Sequence, residues 1–150
     1  MLKGLDNRLN ADVLHALRSA GHGDMIIICD TNFPAFSVAK HTSVGRLLQM
    51  ENLTSAETAE AILSVLPLDT FVDDFACRME MVDSPGEIPP VQAEVQAVID
   101  SAEGKSRPMI GVERFAFYDL ARMAHCVIQT GERRFYGCFM FRKGVIPPKA

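Results

Sequence analysis

The sequence predicts an α/β fold: a single compact domain with a three-layer, Rossmann-like sheet and helices on both of its faces. Two observations carry this. Short apolar runs with strand character alternate along the chain with amphipathic stretches of helical period, the pattern of a largely parallel sheet. One of those runs, "MIIIC" at 25–29, is β-branched, unbroken and too short for a helix, as expected of a strand buried on both faces. At 150 residues, 48% hydrophobic and 23% charged, the chain has the length of one domain and the composition of a globular one, with no linker to divide it.

The elements follow in order. Asn10 can cap a helix from Ala11, with Val13, Leu14, Leu17 and Ala20 on one face and Gly21 to end it. The strand 25–29 comes next. "TNFPAFSVAKHTSVGRLLQM" reads as a loop with a short strand near Leu47. Thr54-Ser55-Ala56-Glu57 is a capping-box pattern. It opens a helix with Ala59, Ile62, Leu63 and Leu66 on its face, stopped by Pro67. A strand is expected within "FACRMEMV", 75–82, and a helix from about Val91 to Ser101 after Pro89-Pro90. "PMIGV", 108–112, reads as a strand, and "ERFAFYDLARMA", 113–124, as a helix with Phe117, Leu120 and Ala121 on a common face. "CVIQT" and "CFMF" read as two strands parted by the turn-like "GERRFYG".

Composition also excludes. The net charge is -4 and the densest basic cluster is Arg133-Arg134 with Arg142-Lys143, so there is no basic stripe for nucleic acid. No run approaches a membrane span, and "MLKGLDNRLN" lacks an apolar leader, so a soluble, cytoplasmic protein is expected. Cys29, Cys77, Cys126 and Cys138 have neither metal nor disulfide spacing and read as buried reduced thiols.

Candidate chemistry starts in "GHGDMIIICD", 21–30. Glycines flank His22 and let the backbone bend around an imidazole, a group that both gives and takes protons near neutrality. Asp30 ends the apolar strand, where a carboxylate must be hydrogen-bonded. It either caps the amides of Thr31 and Asn32 or accepts from a ligand's hydroxyls. In open α/β sheets ligands gather at such strand ends, and spacing alone does not say whether His22 and Asp30 meet. Asp24 reads as a turn residue and Asp73-Asp74 as a solvated pair. His15, His41 and His125 read as structural or solvated. In "RFAFY", 114–118, helical spacing groups Arg114, Phe117 and Tyr118, either as a core stripe or as a pocket wall for hydroxyls and an apolar sugar face. Tyr136, beside a glycine, can present its phenol to a cleft. No metal motif, Walker loop, G-x-G-x-x-G or nucleophile elbow is present.

From "MLKGLD" to "RKGVIPP" the chain resembles the L-fucose mutarotases and D-ribose pyranases. The resemblance rests on "GHGDMIIICD", "NFPAFS", "LPLDTFV", "RFAFYDLA" and "TGERRFYG" with "KGV" after it; Arg114 points to the fucose branch. It implies an isomerase that interconverts sugar anomers without metal or organic cofactor. It also implies a homo-oligomer, a decameric ring or something smaller, whose ligand is a monosaccharide rather than nucleic acid or membrane. His22 is then the proton donor and Tyr136 the second catalytic group. Asp30, Asp69, Met79, Arg114, Tyr118 and Cys138 are the substrate-binding residues. Where the family reads Tyr-Gly-Asn, this chain has Tyr136-Gly137-Cys138, a weakly polar thiol in place of a carboxamide.

Mutarotation needs one proton delivered to the ring oxygen and one taken from the anomeric hydroxyl, so the expectation places His22 and Tyr136 across one cleft. The alternative is a non-catalytic monosaccharide-binding protein on the same scaffold; a ring protein with a vestigial pocket is a third reading.

Overall fold

The computed structural model describes residues 1–150. Helix α1, Ala11–Ser19, starts where the Asn10 side chain accepts the Val13 amide at 3.0 Å. Strand β1 is Met25–Cys29, α2 Ala35–Ala39 and β2 Leu48–Met50. Helix α3, Ser55–Leu63, carries the complete capping box: Thr54 Oγ1 accepts the Glu57 amide and Glu57 accepts the Thr54 amide. Strand β3 is Ala76–Met79. Helix α4, Pro90–Glu103, has proline in its first turn and ends on Gly104 at φ 68°. Strand β4 is Ile110–Val112; α5, Arg114–Arg122, is capped by Glu113; β5 is Cys126–Thr130 and β6 Phe139–Arg142.

The six strands form one sheet in the order β2-β5-β1-β6-β3-β4. Five share a direction; β6 runs against both β1 and β3. Alternate residues of β1 enter opposite layers. Ile26 and Ile28 join Val13, Leu17, Ile62, Val95 and Ile99 under α1, α3 and α4. Ile27 and Cys29 join Val38, Phe117, Ala121 and Met140 under α2 and α5. Each fully buried isoleucine contributes about 2–3 kcal/mol of apolar transfer. Helices therefore cover both faces, as the sequence predicts.

Two features depart from the sequence reading. Residues 35–39 are helical rather than loop. This single turn follows Pro34 without a side-chain cap and is held by burial of Ala35, Val38 and Ala39. The other is the reversal of β6 in the middle of the sheet. All four cysteines are buried free thiols, and no helix is long and apolar enough to cross a membrane.

Candidate active site

Reversing β6 brings its amino end, residues 136–138, against the carboxyl ends of β1 and β3. Asp30, 4% exposed, organises this junction. Its Oδ1 accepts the amides of Asn32 (2.9 Å) and Phe33 (3.0 Å). Its Oδ2 accepts the Gly137 amide at 3.1 Å and the Cys138 thiol at 3.5 Å. The capping role is thus real, with Asn32 and Phe33 as partners in place of the expected Thr31, and four donors leave the carboxylate little capacity for a ligand. Burial, and then the neighbouring Asp30 charge, push the Cys138 thiol well up, so it stays a neutral S–H donor.

Tyr136 has φ +64°, left-handed backbone rare for a large side chain. That turn aims the phenol outward, where its oxygen accepts the Val82 amide at 3.2 Å and keeps its own proton free to donate. Gly137 is closely packed: a Cβ there would lie 2.9 Å from Glu132 Cγ and 3.0 Å from Ser55 Oγ. Glu132, buried behind this turn, bonds Arg134, which also grips Glu94 with two 2.8 Å bonds. The Arg134 guanidinium holds the Glu132 carboxyl down at about 2.

A cavity of about 190 Å³ opens here, lined by Asp30, Met79, Arg114, Tyr118, Tyr136 and Cys138, with Asn32, Phe33 and Phe135 completing the wall. Drug-sized ligands occupy about 300–1,000 Å³; this space suits one sugar ring. Helix α5 supplies Arg114 and Tyr118 one turn apart, with Arg114 Nε donating to the Tyr118 hydroxyl at 3.0 Å. Phe117, by contrast, points into the core. The sequence reading named Asn32 only as a partner for Asp30 and missed Phe33 and Phe135, which adjoin Asn32 and Tyr136.

His22 and Asp69 lie elsewhere. His22 precedes β1 and Asp30 follows it; five residues at about 3.3 Å each separate the two ends by roughly 16 Å. Within one chain His22 therefore does not face Tyr136, and Asp69 does not line the Tyr136 cavity, because the length of β1 intervenes. The two instead form their own pair. His22 Nε2 meets Asp69 Oδ2 at 3.1 Å, leaving Nδ1 without a partner in the chain. Asp69 is buried, and the Phe71 amide holds its carboxyl below the usual range against desolvation, with His22 helping. The Gly23 amide bonds the Lys143 carbonyl at 2.8 Å and Arg142 donates to the Gly23 carbonyl, so the "RKG" segment fixes the histidine's turn. Asp24 accepts the Gly21 amide, the turn role expected of it. Asp74 is no free surface charge, since it pairs with Arg142.

A small α/β domain with an arginine- and aromatic-walled pocket at its strand ends has the geometry of a small-ligand-binding protein. The profile of the RbsD / FucU transport protein family matches residues 3–146, and the chain belongs to that family. It is 38% identical to the human fucose mutarotase, over 97% of this chain and 94% of the relative. The crystal structure of protein Atu2016, a candidate sugar-binding protein, is 60% identical with TM-score 0.96, covering 98% and 97% of the two chains. The fucose mutarotase of Streptococcus pneumoniae in complex with L-fucose superposes with TM-score 0.87 at 27% identity, over 97% and 100%.

Proposed function

We propose that the protein is a monosaccharide mutarotase acting on L-fucose or a close relative. The observation that carries this is the Tyr136 phenol, held by a left-handed turn at the mouth of a ring-sized pocket with its proton free. Kinship with fucose mutarotases over nearly the whole chain supports it.

The reaction has two proton transfers and no change of oxidation state, so it calls for no cofactor. One group protonates the ring oxygen while another takes the proton of the anomeric hydroxyl. The C–O ring bond opens, the aldehyde carbon turns, and closure reverses both transfers. Tyr136 is one group. His22 is the other, held by ionised Asp69, which favours the imidazolium formed in transit. Arg114 and Tyr118 supply donors to sugar hydroxyls; Phe33 and Phe135 offer apolar surface to a ring face. Met79 and Cys138 form a sulfur-lined floor beside Asp30.

Because His22 stands at the far end of its own sheet, the reading places it in the pocket of a neighbouring copy. Uncovered apolar side chains lie where such a contact would form: Phe71, 72% exposed, packs on His22 with ring centres 5.6 Å apart, and Phe135, also 72% exposed, rims the pocket. The protein is then a homo-oligomer, a decameric ring or smaller, and its reduced thiols suit the cytoplasm.

Saturation-transfer NMR on L-fucose tests the assignment. The wild-type protein accelerates exchange between anomers, and His22→Asn lowers that rate about 10²–10⁴-fold while sugar binding persists. A sugar that binds without faster exchange would sink the catalytic reading in favour of a binding protein.

A further inference from the structure

We propose that Gln92, which lies outside the pocket wall, is the positioning residue that fixes the Tyr136 phenol. The inference rests on the reading of Tyr136 as a proton-handling group. Gln92 is fully buried near the start of α4, an unusual place for a primary amide unless every polar atom is partnered. All are. Its Nε2 donates to the Met79 carbonyl at 2.7 Å and to the Tyr136 carbonyl at 3.1 Å; its Oε1 accepts Arg78 Nη1 at 3.2 Å. Two carbonyls and one guanidinium allow the amide only one orientation.

The partners show what the clamp does. Met79 ends β3, and its amide is already bonded to the Cys138 carbonyl. Tyr136 is one of two non-glycine residues with positive φ, the other being Asp83. Its left-handed turn sends the carbonyl inward, where Gln92 receives it, while the phenol goes outward to Val82. Relaxed backbone at 136 would swing both groups, and a phenol displaced by about 1 Å can lose on the order of 10²-fold in rate. Gln92 itself does not line the cavity.

The test uses the 150-residue chain and four variants: Gln92→Met, Tyr136→Phe, their double, and Arg78→Met. Gln92→Met keeps the volume and removes the amide; Arg78→Met loosens it from outside and decides the matter with the same readouts if Gln92→Met does not fold. Gln92→Met is expected to lower kcat for L-fucose roughly 10- to 100-fold with KM changed little. In the Tyr136→Phe background it is expected to lower kcat no further. The Val82 amide resonance, which reports the phenol oxygen directly, is expected to shift and exchange faster in Gln92→Met. Unchanged kcat, or an equal loss of kcat in the Tyr136→Phe background, overturns the proposal. If Tyr136→Phe alone keeps wild-type kcat, the catalytic reading of Tyr136 fails instead. Placement of the phenol by Gln92 then stands or falls on whether the Val82 amide moves.

Discussion

At the scale of single residues, the shape of the pocket depends partly on Gly137, which does not line it. Gly137 has no room for a methyl group among Glu132, Ser55 and Asp30. Gly137→Ala is expected to cost about 1–3 kcal/mol, read as a lower denaturation midpoint, and to slow anomer exchange with it. Cys138 has a different weight. Its neutral thiol already donates to Asp30, so it offers a sugar little polarity. Cys138→Asn supplies a carboxamide with two donors and an acceptor. Turnover of L-fucose, measured by NMR exchange, is expected to rise severalfold. A fall would mean that the sulfur-lined floor is matched to another sugar. Residue types at this scale were legible in part: Asp30, Met79, Arg114, Tyr118, Tyr136 and Cys138 do line one cavity. Gln92 and Glu132 were not, because a lone amide or carboxylate in a helical or turn-like stretch carries no mark of its own burial.

At the scale of elements, local chemistry told more than periodicity. The caps at Asn10 and Thr54 sit where the sequence puts them. Thr54→Ala is expected to cost about 1 kcal/mol, visible in thermal unfolding. Strand direction was hidden: a four-residue apolar run such as 139–142 reads the same either way, and nothing local marks that β1 lies between β5 and β6. Helix α2 was hidden as well, since one uncapped turn owes its existence to packing. The segment joining β5 to β6 depends on Glu132. Its carboxyl is depressed to about 2 by Arg134, so its contribution is complete above the ordinary glutamate range near 4.5 and is lost as pH falls through about 2. Glu132→Gln is expected to cost about 1–3 kcal/mol at neutral pH and to flatten the loss of stability between pH 4.5 and 2, followed by denaturant melts.

At the scale of the whole molecule, the proposed site is split between opposite ends of one sheet: His22 with Asp69, and Tyr136 with its pocket. The sequence reading places His22 and Tyr136 across one cleft; their separation within the chain follows from the length of β1. If copies complete one another, inactive His22→Asn and Tyr136→Phe chains are expected to regain activity when unfolded and reassembled together. Random pairing leaves about one site in four with both groups intact. No recovery above either variant alone would mean that the half-sites do not meet.

The chain has no tryptophan and two tyrosines, and Tyr118 and Tyr136 both wall the same cavity. Excited at wavelengths that phenylalanine does not absorb, its intrinsic emission therefore comes from tyrosines at the candidate binding site. Titration with an unlabelled sugar that fills the cavity is expected to change that emission, so occupancy can be followed without probe or dye.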